Sequence, residues 1–530
     1  MGGDNPTMQT YVEADYTATE RQVLGRYFTS VDGPVAALVG LPDSTRAALF
    51  ARYSRTTKPL KRVFLDEFHD PAADAGGVVD VGLAKASDLF SRVLSDYGDD
   101  SVAQLAGVHV SCEQVSNLLT KVLERGRLMG YLEQSTRYVS YGDRPGGQYR
   151  YYRDPELLEG PHRDVFIEAM DGLFDAYIEV NEAVREMLQA PIPPDDAASR
   201  RAARAAAFDV ARGLLPAGTV SNVGIFASPQ AYEQLVLRMR SDDLPEARAY
   251  AELLLVELNK VIPDFLTRLG REERGGVWVE YRRERATALA SAAAELDRLA
   301  GAAPATPRSE TRLLRWRESA EDEIIANAIF PRSRRPLDQV LEQVRELDED
   351  RRRELFIGTV GARRNRRHRP GREWEAADYE FEVVSDYGAF RDLQRHRLLT
   401  IDWQRLGPDL GYDVPHEVEL AGKADVWRWA VERAEAAYHT IVPDAPPQAA
   451  YLMTMGHRIR YVMRMNAREA MHVIELRSSP QGHPSYRRVA QEMHALIRDV
   501  AGHRLVADAI SFVNADDVHL GRLDAEKRHG

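Results

Sequence analysis

Hydrophobic positions recur every three to four residues through several long stretches of this chain and alternate through only a few short ones. The first spacing predicts amphipathic helices over 164–188 (DVFIEAMDGLFDAYIEVNEAVREML), 246–262 (stopped by Pro263), 336–355 and 425–442. Alternation in Tyr379–Val384 (YEFEVV) predicts a strand, and Gly388–Arg397 a short helix that ends in arginines. Residues 101–127 are apolar enough to be buried and end in charge, and the DPAADAGG stretch near Pro71 is a predicted loop. The Ala-Pro-Thr composition around 300–310 marks a linker.

The order of these elements repeats. Residues 225–254 (IFASPQAYEQLVLRMRSDDLPEARAYAELL) and 463–497 (MRMNAREAMHVIELRSSPQGHPSYRRVAQEMHALI) both carry a Leu-Arg, then Ser, then a helix. This implies a far-diverged internal duplication. The expected fold is mixed α/β (α+β), with two tandem domains, each a β-sheet with long flanking helices. Their expected bounds are 1–300 and 319–530, joined by a linker at 301–318.

Composition narrows the function classes. Of 530 residues, 44% are hydrophobic and 29% charged, as in ordinary globular material. No apolar run approaches the ~20 residues of a membrane span, and the N-terminus lacks the features of a signal peptide. Cys112 is the only cysteine, which argues against a disulfide framework or a thiolate zinc site; no metal is expected, and a cytoplasmic setting is. The net charge of −12 disfavours broad nucleic-acid or acidic-membrane binding, but not a small anion that sees local arginines. One basic run, Arg363–Arg372 (RRNRRHRPGR), fits either a solvated loop or a phosphate cradle.

Two stretches carry candidate chemistry. The first reads Arg125-Gly126-Arg127, then, after seven residues, Ser135 within Glu133-Gln134-Ser135-Thr136-Arg137-Tyr138. The second reads Arg395-His396-Arg397, with Arg405 seven residues on. Arginine forks and a hydroxyl suit a phosphate dianion; a surface cluster paired with Glu124 and Glu133 is the plain alternative. The pattern resembles the flavin-dependent thymidylate synthases, whose motif is RHRxxSxNEQSxRY. The first copy has Gly126 for His, Gly130 for Ser and Leu132 for Asn. The second has Trp403 for Glu, Arg405 for Ser and Gly407 for the last Arg. Downstream, the first half keeps ARGLLP with Arg212 and the later Leu237-Arg238, with Ser228-Pro229 where Ala-Arg is expected. The second keeps Asn466-Ala467-Arg468 and Leu476-Arg477, with Ala450 in the place of Arg212.

The resemblance implies reductive methylation of dUMP or a related uridine nucleotide. Methylenetetrahydrofolate would give the carbon, FAD the hydride, and NADPH the reducing equivalents. Arg477 would be catalytic. Arg395, His396, Arg397 and Asn466 would hold the flavin, and Glu133, Gln134, Ser135, Thr136, Arg137 and Arg212, with Arg395 and Arg477, the nucleotide. The family builds each site between subunits, and here the retained residues divide along that line. A homodimer would therefore rebuild the family tetramer, with one composite site type per chain. The resemblance also exposes departures: Asp392 where the family commonly has Gln, and Trp374-Glu375-Ala376 in place of Phe-Glu-His. They keep two alternatives open: a catalytically silent flavin- or nucleotide-binding scaffold, and methylation of another pyrimidine nucleotide. The residues have rival roles too. His396 fits a helix C-terminal cap, Arg477 an ion pair with Glu475, and His472 either core or site.

Overall fold

The computed structural model describes residues 15–32, 35–69, 104–137, 139–301 and 310–516. The loop expected near Pro71 and Tyr138 of the first motif lie outside them. In the first half, β1 (Val108–Ser116) runs into α1 (Asn117–Leu123), followed by β2 (Met129–Glu133), α2 (Arg163–Gln189), α3 (Ala197–Ala211), β3 (Val220–Ala227) and α4 (Pro229–Arg240). In the second half, β4 (Glu310–Trp316) precedes β5 (Asp378–Asp386), α5 (Tyr387–Leu393), β6 (Thr400–Trp403), α6 (Ala424–Ile441), β7 (Arg458–Asn466), α7 (Ala467–Arg477) and α8 (Pro484–Asp499). The strands form two sheets, ordered β1-β3-β2 and β4-β5-β7-β6, so the mixed α/β expectation holds.

The repeat is visible in local structure. Two nine-residue strands, β1 and β5, each lead directly into a seven-residue helix. Each helix is started by a side-chain cap: Ser116 accepts from the Leu119 N–H, and Asp386 from the Ala389 N–H. Matching backbone bonds tie each helix start to its own half. Asn117 and Leu118 donate to Thr219 and Ala217, as Tyr387 and Gly388 donate to His457 and Met455. The equivalent segments then pair with one another: Ala217 donates to Met453 at 2.7 Å, Gly218 to Tyr451 at 2.8 Å, Met455 to Leu215 at 2.9 Å and Gly456 to Gly213 at 2.8 Å. The buried indole of Trp427 on α6 lies so close to this ladder that a Cβ at Gly213 would fall 2.6 Å from its ring; glycine is required there by contact.

By packing, the chain forms two compact units. One comprises residues 1–112, 128–132 and 224–299; the other 113–127, 133–223 and 300–530. This division differs from that of the tandem halves, because residues 113–127 and 133–223 of the first half pack with the second. In the first unit, Tyr27, Phe28 and Phe64 form an aromatic cluster with ring centroids 5.2 and 5.6 Å apart. In the second, β5 pairs with β7 from Asp378↔Asn466 to Asp386↔Arg458, and Tyr379, Phe381 and Val383 point into the core.

Three expectations are corrected. Residues 310–316, assigned to the linker, form β4, whose backbone is taken up by β5 from Glu310↔Val384 to Trp316↔Tyr379. The expected 336–355 helix is two, Leu337–Arg345 and Glu349–Val360, because Asp348 caps the second and breaks the first. The helix expected to run to Pro263 ends at Asn259. The helices over 163–189 and 424–441 and the strand over 378–386 match the periodicity.

Candidate functional site

The second compact unit gathers arginines from both halves of the sequence around one carboxylate. Asp392, in the last turn of α5, accepts from Arg395 at 2.8 Å and lies 3.8 Å from both Arg477 and Arg212. Burial alone would raise this carboxyl; Arg395, Arg477, Arg212 and Arg137 outweigh burial and hold it well below the usual range. The aspartate that departs from the family's glutamine is thus a paired counter-ion.

Arg137 follows β2 and is bidentate to Asp209 on α3, both bonds 2.5 Å; it also donates to the Tyr486 hydroxyl at 3.2 Å. Arg212, which ends α3, lies 3.9 Å from Asp209 and is 3% exposed. Its Nε and Nη2 have no hydrogen-bond partner among the described residues. It borders a cavity of about 530 Å³, with Asp386, Gly388, Trp427, His483 and Ser485 on other walls. Asp386 accepts from the Ser485 hydroxyl, and burial raises its carboxyl to about 6, against the pull of Arg212.

Arg477, in the last turn of α7, donates from Nε to His396 Nε2 at 2.9 Å, and its guanidinium lies over the Tyr486 ring at 5.5 Å. His396 is buried; its Nδ1 faces Glu469 at 3.4 Å. An arginine can only donate, so His396 is neutral with its proton on Nδ1, towards Glu469. Burial, then Arg477 and His472, push its pKa well below the usual value. Burial raises Glu469 to about 7, with Arg369 and Arg468 opposing. His396, Glu469 and His472 each place one potential ligand atom within 4.8 Å of the others. Yet His472 Nδ1 accepts from Arg369 at 2.8 Å as His396 accepts from Arg477, and the ring of guanidiniums disfavours a cation. Arg477 does not pair with Glu475, which is forked onto Arg363 at 2.6 Å.

The remaining candidates take other places. Glu133 is buried, accepting from Arg391 at 2.5 Å and Lys121 at 3.4 Å. Gln134 is stitched to β3 through the backbone and side chain of Asn222. The Ser135 hydroxyl accepts from the Arg137 N–H at 3.2 Å, and Thr136 is buried. The Asn466 side chain caps α7 by accepting from the Glu469 N–H at 2.9 Å. Arg395 and Arg397 are exposed. In the first copy, Arg125 bonds Asp402 and Arg127 bonds Thr400, both at 2.7 Å, so its Arg-x-Arg pins β6. Counted from the caps Ser228 and Asn466, Arg477 stands opposite Met239, with Arg238 one position earlier; Pro229-Gln230, not Ser228-Pro229, stands opposite Ala467-Arg468.

Sequence reasoning missed Asp209, Glu469, Tyr486 and Arg391. Asp209 lies three residues before Arg212, and Arg391 four before Arg395, one helical turn in each case. Asn466 with Glu469 has the spacing of a capping box. Tyr486 carries no local signal.

The sequence profile of the thymidylate synthase complementing protein family matches the chain twice, over residues 43–264 and 314–502. A UPF0159 protein of Chlamydia muridarum is 34% identical over 529 residues, spanning 97% of this chain and 99% of its own length. A flavin-dependent thymidylate synthase of Clostridium tetani is 28% identical over 178 residues, 33% of this chain and 67% of that protein. The crystal structure of the UMP/dUMP methylase PolB from Streptomyces cacaoi bound with 5-Br dUMP is 16% identical with a TM-score of 0.32, covering 38% of this chain and 95% of that one.

Proposed function

Because the chain belongs to the thymidylate synthase complementing protein family, we propose that this site methylates a uridine-type nucleotide, most simply dUMP, with flavin as the redox cofactor. One observation carries the reading: Arg137 and Arg212 of the first half and Arg395 and Arg477 of the second converge on Asp392. Four guanidiniums outnumber the neighbouring carboxylates Asp209, Asp392 and Asp386, and the surplus of positive charge suits an anionic phosphate. Arg212 adds two buried guanidinium nitrogens without a partner among the described residues, each costing about 1–3 kcal/mol while unsatisfied. A phosphate oxygen would satisfy them.

In this reading Arg137 and Arg212 hold the phosphate, assisted by the Ser135 hydroxyl. Arg477 stabilises negative charge that develops on the uracil carbonyl, and works best if its guanidinium is fixed before reaction. His396 fixes it by accepting from Nε, and Glu469 fixes His396 from the other side. The donor set fits a flavin: Arg395 and Arg397 offer exposed charge to its phosphates, and the Asn466 amide, whose oxygen caps α7, keeps its NH2 group as a donor at the start of that helix. Bound FAD, reduced by NADPH, would supply the hydride that turns a methylene from methylenetetrahydrofolate into a methyl. A homodimer would rebuild the fourfold set of domains expected of the family; a stable flavin-binding monomer in light scattering would count against that arrangement.

Purified protein incubated with dUMP, methylenetetrahydrofolate, FAD and NADPH should form dTMP, and Arg477→Ala should lose most of this activity while still binding dUMP. A colourless protein that takes up no FAD and methylates no uridine nucleotide would sink the proposal and favour a silent scaffold.

A further inference from the structure

The basic run Arg363–Arg372 touches the site just described only through Arg369, and its two ends behave differently from its middle. Arg363 is an anchor, forked onto Glu475 and donating to the Ala509 carbonyl at 2.7 Å. Arg372 pairs with Glu375 at 3.1 Å. Between them, Arg364, Arg366, Arg367 and Arg369 are all exposed, and none makes an ion pair among the described residues. Like charges this close repel in the absence of an anion.

The loop is nevertheless held in shape. Asn365 accepts from the Arg367 N–H at 2.9 Å, Arg363 Nε donates to the His368 carbonyl at 2.6 Å, and Arg468 donates to the Pro370 carbonyl at 2.9 Å. The cations are therefore presented on a fixed turn. The turn is also directed: Arg369 donates to His472 Nδ1 at 2.8 Å, and the His472 ring meets the His396 ring edge-on at 5.2 Å. Arg366 and Arg477 both act on His472 electrostatically, each disfavouring its protonation after burial and Arg369. A continuous path of contacts thus leads from the basic turn through His472 to His396 and Arg477.

We propose that the Arg364–Arg369 turn is a binding site for a diphosphate group, placed so that the rest of the ligand extends toward His396 and Arg477. Four exposed cations on a six-residue turn, only Arg369 of them facing a carboxylate, call for a small anion of high charge, and arginine forks match phosphate oxygens. The chain's net charge of −12 and the confinement of the cations to one turn favour a small molecule over a nucleic-acid backbone. The inference goes beyond the proposed reaction: diphosphate binding can fail with methylation intact, and can succeed in a protein that methylates nothing.

The test is calorimetric titration of the full chain with inorganic pyrophosphate at low salt. Saturable binding is expected, weakened about tenfold or more in an Arg364→Ala/Arg367→Ala variant, with dUMP affinity unchanged. Both arginines are exposed and touch none of the site residues, so the variant should keep the wild-type melting temperature. Arg364→Lys/Arg367→Lys should recover part of the affinity, retaining charge without the fork. ADP and FAD as competitors distinguish the source: displacement by ADP indicates a terminal diphosphate, displacement by FAD alone a dinucleotide bridge. No saturable pyrophosphate binding, equal binding by the alanine variant, or a single-stranded RNA that outcompetes pyrophosphate would each overturn the proposal.

Discussion

Asp392→Asn isolates what the central carboxylate does, since the amide keeps the shape and removes the charge. Arg395 is exposed, so its 2.8 Å pair is screened and contributes about 0.5 kcal/mol. Arg212 and Arg477 are more buried, and at 3.8 Å each attraction is about 4 kcal/mol at an effective dielectric of ~20. Much of that is offset by the several kcal/mol needed to bury each ion, a cost the variant partly escapes. The net loss should be about 2–4 kcal/mol, a fall of about 2–4 °C in melting temperature for a chain of this length. The aspartate's folded pKa is depressed, so its contribution is complete above the ordinary aspartate range and lost only as pH falls through the depressed value. The gap between wild type and variant should therefore be widest near neutrality and close in acid. A nucleotide phosphate would take over part of the lost charge, so saturating dUMP should raise the variant's melting temperature more than the wild type's. Scanning fluorimetry with and without dUMP reads both effects. A variant as stable as wild type at pH 7, or one that gains no more from dUMP, would refute the view of Asp392 as a counter-ion for arginines that bind an anion.

Glu469 gives the opposite sign. Its folded pKa is raised to about 7, so ionising it costs stability as pH climbs from the ordinary glutamate range through 7; Glu469→Gln should gain relative to wild type over that window, by no more than about 3 kcal/mol, in urea titrations at pH 4.5 and 8. Gly213→Ala should lose about 1–3 kcal/mol through the clash with Trp427, measured by urea unfolding, while Gly146→Ala, whose added Cβ meets nothing within 4 Å, serves as the uncrowded control despite some strain at its φ of +64°. FAD should saturate at about one per chain, and His396→Ala should lose most of it because His396 is among the residues expected to hold the flavin; absorbance of the dialysed protein would reveal two FAD per chain, or full retention, as the contrary result.

The chain declared its secondary structure where one face is buried and the other wet, as in Arg163–Gln189 and Ala424–Ile441. It misled where a polar cap interrupts a helical pattern, at Asp348, because capping competes locally with periodicity. The arginines at the centre were legible because their spacing is unusual. What they touch was not: Arg137 meets Asp209 and Arg391 meets Glu133 across long stretches of chain, and nothing in local sequence records such partners. The first Arg-x-Arg shows the limit of motif reading, since the residue pattern proposed to hold ligands in one copy clamps β6 in the other.

The ladder between residues 213–218 and 451–456 changes how the arginine cluster comes together. Separate polypeptides must meet before residues from two copies can share a ligand, so such a site thins out on dilution. Here both copies are tethered in one chain, and their encounter is set by an effective concentration that dilution leaves untouched. Tethering also frees each copy from mirroring the other. A substitution at Gly126 need not recur at His396, nor one at Ala450 at Arg212, so one face of the pair could specialise in gripping and the other in chemistry.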